Sequence, residues 1–358
     1  MRHHTRQIRV GKMAVGGAAP ISVQSMTKTD TRDAAATVSQ IIELQRAGCE
    51  IIRSAVPDML AAETLGAIVR SIDIPLIADI HFDYRLALKA IEQGVDAIRF
   101  NPGNIGSEEK VKALVEAAGA KNISIRIGVN AGSLEKSLLR KYGSPTAEAM
   151  VASALHHIEL LEKFGFQQIK ISLKASDVPR TVEAYRLLAR KVDYPLHIGI
   201  TEAGPLKTGT IKSAVGLGIL LSEGIGDTLR VSLTGSPIEE VYVGYEILKA
   251  LGLRQRGPIV TSCPGCGRSE VDLMTLASQV EQRLAHLHYP LHVAVMGCVV
   301  NGPGEAREAD LGVAGGKGVG VVLRQGEVLG KFPEADLLDV LCREAERLAE
   351  DLQRKSTS

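Results

Sequence analysis

The sequence has no tryptophan and few other aromatic residues, with seven tyrosines and five phenylalanines among 358 residues. Any core must therefore be packed from aliphatic side chains. The net charge is only +1 at pH 7, which excludes a global basic field for holding nucleic acid or an anionic membrane. No signal-peptide core and no run of about 18 apolar residues is found, which predicts a cytoplasmic protein without a membrane span.

Cysteines are also few, and their number is odd. Five in a chain of this length argue against a disulfide framework and for reduced thiols, some of which could hold a metal. Glycine, by contrast, is abundant at 36 residues, which suggests tight turns or close approaches of the backbone to a ligand. At roughly 150 residues per domain, the length predicts two domains.

Short runs rich in β-branched residues recur between turn signals and predict eight strands, at residues 21–26, 50–56, 75–81, 97–101, 124–130, 168–174, 195–201 and 228–233. The segments between them have helical periodicity; residues 33–48, for example, end at Gly48, a residue typical of helix C-termini. Eight alternating strands and helices over about 250 residues predict an α/β fold with an N-terminal (β/α)8 TIM-type barrel. An open doubly wound sheet is the alternative.

A polar connector at residues 254–258 predicts a boundary, giving domains 1–253 and 254–358. The second is expected to be a small α/β unit with strands at 259–263, 291–300, 318–323 and near 328, and with helices at 269–287 and 336–354. Glycine-rich turns are expected around Asn301 and Gly315. Residues 6–17 predict a β-hairpin that turns at Val10–Gly11 and closes the bottom of the barrel.

The sharpest local motif is Cys263-Pro-Gly-Cys266, followed by Cys298 in a glycine-rich turn. Two residues between cysteines let both sulfurs point into one concavity, and a third thiolate one supersecondary unit later could join them. Three thiolates fit an iron-sulfur cluster with one unusual ligand or a zinc site with a fourth donor. Glu305 is the preferred fourth ligand because it is expected on the same loop as Cys298 and is the first carboxylate after it; Glu308 and Asp310 lie further on.

Charged and polar residues interrupt the predicted barrel strands near their C-terminal ends. These residues are Arg53, Asp79, His81, Arg99, Asn101, Arg126, Asn130, Lys174, Thr201, Glu202, Arg230 and Ser232. Cations on five strands at one barrel end are costly to bury unless a counter-charge is present. Active sites of such barrels lie at this face, and arginine suits phosphate oxygens, so the pattern predicts a small diphosphate ligand.

Several motifs resemble those of the 4-hydroxy-3-methylbut-2-en-1-yl diphosphate synthases, iron-sulfur enzymes of the non-mevalonate isoprenoid pathway. They are Ser22-Val-Gln-Ser-Met-Thr27, Ala78-Asp-Ile-His-Phe82, Asn101-Pro-Gly-Asn-Ile-Gly106, Arg126-Ile-Gly-Val-Asn130, Ser172-Leu-Lys-Ala-Ser176, Thr201-Glu-Ala-Gly204, Gly226-Asp-Thr228 and Asn301-Gly-Pro-Gly-Glu305. They cover nearly the whole chain, which is similar to the compact bacterial form.

The resemblance implies reductive ring opening and dehydroxylation of 2-C-methyl-D-erythritol 2,4-cyclodiphosphate to (E)-4-hydroxy-3-methylbut-2-en-1-yl diphosphate. It implies a 4Fe-4S cluster held by Cys263, Cys266, Cys298 and Glu305, with flavodoxin or ferredoxin as the electron donor.

The same resemblance assigns diphosphate binding to Arg53, Arg99, Arg126, Lys174 and Arg230, with Ser232 and Asn130 nearby, and proton delivery to Glu202. Asp79 and Asn130 are expected to be catalytic together with Glu202. Asp79 and His81 are placed in the pocket, with Asp83 as a competing match. It further implies a homodimer in which the cluster unit of one chain caps the barrel of the other.

Two other classes of protein stay open from the residues themselves. A zinc-dependent barrel hydrolase or lyase would use the same three cysteines. A redox sensor without enzymatic activity would hold a cluster but would not need five cations at the strand ends.

Overall fold

The computed structural model of the chain describes residues 2–100, 107–300 and 302–356. Two compact units are present, Met1–Arg254 and Gln255–Ser358. The motif at residues 101–106 and Asn301 lie outside the described residues. Among the helices described, none combines the length and the apolar character that crossing a bilayer requires.

The first unit contains a hairpin, a ring of parallel strands and a short additional strand pair. The strands are β1 (Ile8–Val10), β2 (Met13–Val15), β3 (Ser22–Met26), β4 (Ile51–Ala55), β5 (Leu76–Asp79), β6 (Ala97–Phe100), β7 (Ser124–Asn130), β8 (Ile169–Lys174), β9 (His197–Ile198), β10 (Gly204–Pro205), β11 (Thr228–Leu229) and β12 (Leu233–Thr234). Eight of them pair in the order β8-β7-β6-β5-β4-β3-β11-β9. A parallel bridge between Ile171 and Leu196 completes the ring, so the predicted barrel is confirmed.

Nine helices of the described first unit alternate with these strands. They are α1 (Ala34–Ala47), α2 (Met59–Arg70), α3 (Tyr84–Glu92), α4 (Glu108–Ala120), α5 (Lys136–Tyr142), α6 (Ala147–Lys163), α7 (Val178–Ala189), α8 (Leu206–Ser222) and α9 (Pro237–Ala250). Helix α1 was predictable because both of its ends carry residues typical of helix caps. The side chain of Asp33 accepts the N–H of Ala36 at its start, and Gly48 adopts the left-handed conformation at its end.

The hairpin β1–β2 covers the N-terminal end of the ring. Ile8, Val10 and Val15 form an apolar cluster with Ile51 and with the first residues of neighbouring strands. The prediction that the hairpin closes this end is confirmed. Its turn, however, is Gly11-Lys12 and not Val10–Gly11, because Val10 pairs with Met13 within the ladder.

Most barrel strands are shorter than predicted, and two differ most from the predicted bounds. The run 195–201 is a strand only at His197–Ile198, and 228–233 splits into β11 and β12. A Cβ on Gly199 would lie 2.5 Å from the carbonyl oxygen of Arg230 and 2.7 Å from Lys174 Nζ. Glycine at this position therefore leaves space for a cation of another strand.

The second unit contains one five-stranded sheet and three helices among its described residues. The elements are β13 (Ile259–Ser262), α10 (Leu273–Leu284), β14 (His292–Met296), α11 (Gly302–Glu308), β15 (Leu311–Gly316), β16 (Val319–Arg324), β17 (Glu327–Pro333) and α12 (Leu337–Ser356). Strands β13, β14 and β15 are parallel, and β16 and β17 continue the sheet in antiparallel pairing. An aliphatic core lies between this sheet and helices α10 and α12.

The glycine-rich region of this unit differs from expectation. Residues around Gly315 form strand β15 and not a turn, and Glu305 lies in the first turn of α11 and not in a loop. A Cβ on Gly312 would lie 2.5 Å from the Cβ of Ala306, and one on Gly315 would lie 2.8 Å from Val271. These glycines therefore allow close packing on the strand, a role that composition cannot distinguish from turn formation.

Candidate active site

A polar cavity of about 120 Å³ lies within the barrel unit. Its lining residues are Arg53, Asp79, His81, Arg99, Arg126, Asn130, Ser172, Lys174, Thr201, Arg230 and Ser232. Most of them stand at or just beyond the C-terminal ends of successive strands, where parallel topology brings inward side chains to one end of the ring. The structure thus brings together the predicted barrel residues except Glu202, which is outside the lining, and Asn101, which lies outside the described residues.

Asp79 is the only acid among the described residues that line the cavity, and it binds two of the cations. Its Oδ1 lies 3.0 Å from Arg99 Nη1, and its Oδ2 lies 3.4 Å from Arg53 Nε. Burial raises the pKa of this carboxyl, but Arg53, Arg99 and Arg126 together outweigh burial and bring the pKa to about 2. Asp79 is therefore a fixed anion that orients two guanidinium groups.

The remaining positive charge is not compensated within the cavity. Arg126 is only 1% exposed, and burial, followed by the charges of Arg53 and Arg99, lowers its pKa well below the usual value. Burial and the neighbouring Arg126 lower the pKa of Lys174 in the same way. A cation buried without a counter-charge costs several kcal/mol, and a polyanionic ligand would remove that cost. The arrangement is suited to bind phosphate groups.

His81 contacts one of the cavity cations. Its Nε2 lies 3.0 Å from Arg99 Nη1, which favours a neutral ring that accepts this hydrogen bond. Burial lowers the pKa of His81, and Arg99 and Arg53 lower it further, against the opposing effect of Asp79. A neutral His81 can accept a hydrogen bond at this site. The competing Asp83 instead caps helix α3 and pairs with Arg85.

Glu202 does not line the cavity. It is exposed and follows Thr201, which does. Its φ of 52° lies in the left-handed region, which is uncommon for a residue with a side chain. Such backbone strain often occurs at functional sites, since only surrounding structure can maintain it. Glu202 therefore stands beside the cavity in a conformation that the local fold imposes.

Two polar residues of the barrel interior, Ser172 and Lys170, were not predicted from the sequence. Ser172 lines the cavity, and the fully buried Lys170 lies two residues before it on the same strand. Alternate residues of a strand share a face, so the spacing of Lys170, Ser172 and Lys174 could have revealed both. Burial and the neighbouring Arg126 lower the pKa of Lys170 well below normal.

The three motif cysteines lie at one edge of the second unit. Cys263 directly follows β13, and Cys298 follows the adjacent parallel strand β14 by two residues. The N–H of Gly297 lies 3.5 Å from Cys263 Sγ, and the N–H of Cys266 donates to Ser269 Oγ at 3.3 Å. The backbone N–H and the side chain of Arg268 lower the pKa of Cys266, which favours its thiolate.

This donor set fits an iron-sulfur cluster in its chemistry. Thiolates are the ligands that such clusters require, and N–H groups near the sulfurs are typical of their surroundings. Glu305 is exposed in the first turn of α11, the element that follows Cys298. Across residues 2–100, 107–300 and 302–356, no three His, Cys, Asp or Glu side chains are close enough to form a complete metal site. The remaining cysteines, Cys49 and Cys342, are buried.

Comparison with known proteins covers both units. Residues 5–245 match the GcpE TIM-barrel domain, and residues 259–347 match the GcpE protein C-terminal domain. Solved dihydropteroate synthases share only the barrel fold; that of Burkholderia cenocepacia is 12% identical, has a TM-score of 0.50, and covers 70% of this chain and 99% of its own.

Relatives of high identity extend over nearly the full length, and each is named 4-hydroxy-3-methylbut-2-en-1-yl diphosphate synthase (flavodoxin). The protein of Geobacter sulfurreducens is 66% identical, covering 97% of this chain and 99% of its own. That of Caldanaerobacter subterraneus is 59% identical, covering 98% and 99%. That of Desulfotalea psychrophila is 56% identical, covering 99% and 98%. This chain belongs to the 4-hydroxy-3-methylbut-2-en-1-yl diphosphate synthase family.

Proposed function

We propose that this chain catalyses the reductive ring opening and dehydroxylation of 2-C-methyl-D-erythritol 2,4-cyclodiphosphate to (E)-4-hydroxy-3-methylbut-2-en-1-yl diphosphate, a step in isoprenoid precursor biosynthesis. The observation that carries the proposal is the cavity itself. Five cations and one carboxylate line it, and even with Arg230 paired to a carboxylate outside the lining the charge is positive, as a compact diphosphate needs. The names of the full-length relatives give the product and an electron donor, and the family resemblance implies the substrate.

In this account the cations hold the two phosphate groups. Arg53, Arg99, Arg126, Lys174 and Arg230 bind phosphate oxygens, and Ser232, Asn130 and His81 complete the polar contacts. Guanidinium groups fixed before the substrate arrives also stabilise the ring oxygen as it leaves with negative charge, because they need no reorganisation during the reaction. Asp79 keeps two of these guanidinium groups in place.

The reaction removes a hydroxyl as water, so it needs a proton donor as well as electrons. Glu202 stands next to Thr201 at the cavity and is exposed, so its carboxyl can exchange protons with solvent. We assign to it the delivery of a proton to the departing hydroxyl.

The electrons require a redox group, since the sequence contains no nucleotide-binding fingerprint. Cys263, Cys266, Cys298 and Glu305 are the residues that would hold a 4Fe-4S cluster. When bound, such a cluster supplies electrons one at a time. A carboxylate is a more easily displaced ligand than a thiolate, so Glu305 leaves one position of the set open to exchange.

The electron donor, the location and the oligomeric state of the enzyme are proposed on separate grounds. Flavodoxin is the proposed electron donor, since the relatives carry it in their names, with ferredoxin as the alternative. All five cysteines are unpaired thiols, which supports a reducing, cytoplasmic location. The exposed apolar side chains Ile211, Val215 and Ile238 on α8 and α9 support a homodimer.

Anaerobic purification with iron and sulfide analysis tests the cofactor. The parent protein is expected to be brown and to contain both elements, and Cys298→Ser is expected to lose the visible absorption and the activity. The buried Cys342→Ser is the matched control and should keep both. A colourless parent that contains zinc would support the hydrolase or lyase class instead.

Glu305→Ala tests the fourth ligand in the same preparation. We expect the fold to be kept and the cluster to be lost more rapidly during gel filtration, with lower turnover. Parental cluster content together with full activity would remove Glu305 from the site.

A further inference from the structure

Glu240 is a buried carboxylate near the cavity that the proposed chemistry does not use. It lies in the first turn of α9, and its side chain is fully shielded from solvent. A carboxylate is rarely buried unless charged or polar groups bind it, because its desolvation is costly. The partners of Glu240 therefore indicate its role.

The principal partner is Arg230, one of the cavity cations. Arg230 Nε lies 3.3 Å from Glu240 Oε2, and Arg230 Nη2 lies 3.3 Å from Oε1 and 3.2 Å from Oε2. Contacts through two nitrogens fix the plane of a guanidinium group as well as its position. The third nitrogen, Nη1, lies 3.7 Å from the sulfur of Met26 and is not bound by Glu240.

Other partners hold Glu240 itself in place. Ser25 Oγ donates to its Oε2 at 3.2 Å, and the N–H of Leu233 donates to its Oε1 at 3.1 Å. Lys28 Nζ lies 3.7 Å from Oε1 and also donates to the carbonyl of Leu233. These partners come from β3, from the loop that follows β3, and from β12. The carboxylate is thus fixed independently of Arg230.

We propose that Glu240 is a positioning residue, which holds the Arg230 guanidinium in the orientation that binds a phosphate group of the substrate. The inference rests on the proposed function. Its physical basis is pre-organisation: an arginine that is already immobilised loses less conformational entropy when the ligand binds. Among the described residues, Arg230 Nη1 contacts only the weakly accepting sulfur of Met26, which a phosphate oxygen can replace, while Glu240 binds the other two nitrogens.

Glu240→Gln tests the proposal because it removes the charge and keeps the shape. We expect the Kd for inorganic diphosphate, measured by calorimetry, and the KM for the cyclodiphosphate each to rise about tenfold or more, the effect of losing a hydrogen bond between charged groups. The change in kcat should be smaller. In the background of Arg230→Gln, the same substitution should change neither constant further, because the group it positions is gone.

Glu246→Gln is the matched control, since Glu246 lies on the same helix, is 40% exposed and pairs with Lys249. It should keep the parental Kd and KM. If Glu240→Gln does not fold, Ser25→Ala removes one of the hydrogen bonds to Glu240, and a smaller rise in KM is expected. Parental constants in the folded test variant, or an equal rise in the Arg230→Gln background, would overturn the positioning role. A parent without turnover would instead overturn the proposed function.

Discussion

In the barrel interior, a residue that favours ligand binding can lower the stability of the free protein. Arg126 is 1% exposed and adjoins other cations, so it costs free energy in the unliganded protein. Such a residue stabilises the complex with an anion and not the fold. Function and stability should therefore respond in opposite directions when Arg126 is replaced.

Arg126→Met tests this opposition. Removing a buried cation that lacks full compensation should raise the free energy of unfolding by about 1 kcal/mol or more, while binding of inorganic diphosphate is lost. Denaturant unfolding and calorimetry give the two quantities. The exposed Arg9→Met should change stability by no more than about 0.5 kcal/mol. A clear loss of stability in Arg126→Met would show that the charge is compensated in the free protein.

Asp79, in contrast to Arg126, stabilises the unliganded fold. Its pKa of about 2 in the folded chain lies below the ordinary value of 3.8, so its charged form stabilises the fold. That contribution is fully present above the ordinary pKa and is lost as the pH falls toward 2. Asp79→Asn should therefore lower the free energy of unfolding by about 2 kcal/mol near neutral pH, and this deficit should shrink below about pH 4. An equal deficit in urea unfolding at both pH values would contradict the assignment.

Secondary-structure elements were predictable where local signals agree with the fold. Helix α1 has its capping residues in place, and β7 was predicted to the residue. Strand β15 was missed because Gly312 and Gly315 serve close packing on neighbouring segments, which only the folded chain reveals. The space that Gly199 leaves for Lys174, just after β9, also depends on a contact between different strands.

Gly128, which lies on β7 between Arg126 and Asn130, likewise leaves space for a cation of another strand. A Cβ at this position would lie 2.9 Å from Arg99 Nη2 and closer still to its Nε. We expect Gly128→Ala to displace Arg99 and to raise the KM for the cyclodiphosphate at least tenfold, in line with the loss of a charged contact. Steady-state kinetics measure this effect.

The control for that substitution is Gly119→Ala, in helix α4, where the added methyl group meets open space. It should stabilise the fold by about 0.5 kcal/mol or more and leave the KM unchanged. An unchanged KM in Gly128→Ala would mean that Arg99 needs no such space.

At the scale of the whole molecule, the sequence predicted the barrel and most of the cavity lining. Charged residues near predicted strand ends sufficed, because parallel topology brings them to one end of the ring. It did not reveal Ser172, Lys170 or Glu240, whose importance depends on burial and on partners distant in sequence. The roles of the thiols and of Glu305 stay predictions that metal analysis must test.

The proposed function requires that the thiols of the second unit and the cations of the barrel serve one reaction on one diphosphate. This requirement is tested by turnover of the cyclodiphosphate with reduced flavodoxin, using the anaerobically prepared parent, Cys298→Ser and Arg126→Met. We predict that only the parent forms product, that Cys298→Ser still binds inorganic diphosphate, and that Arg126→Met keeps the cluster absorption. Product formation by Cys298→Ser, or none by the parent, would contradict the account.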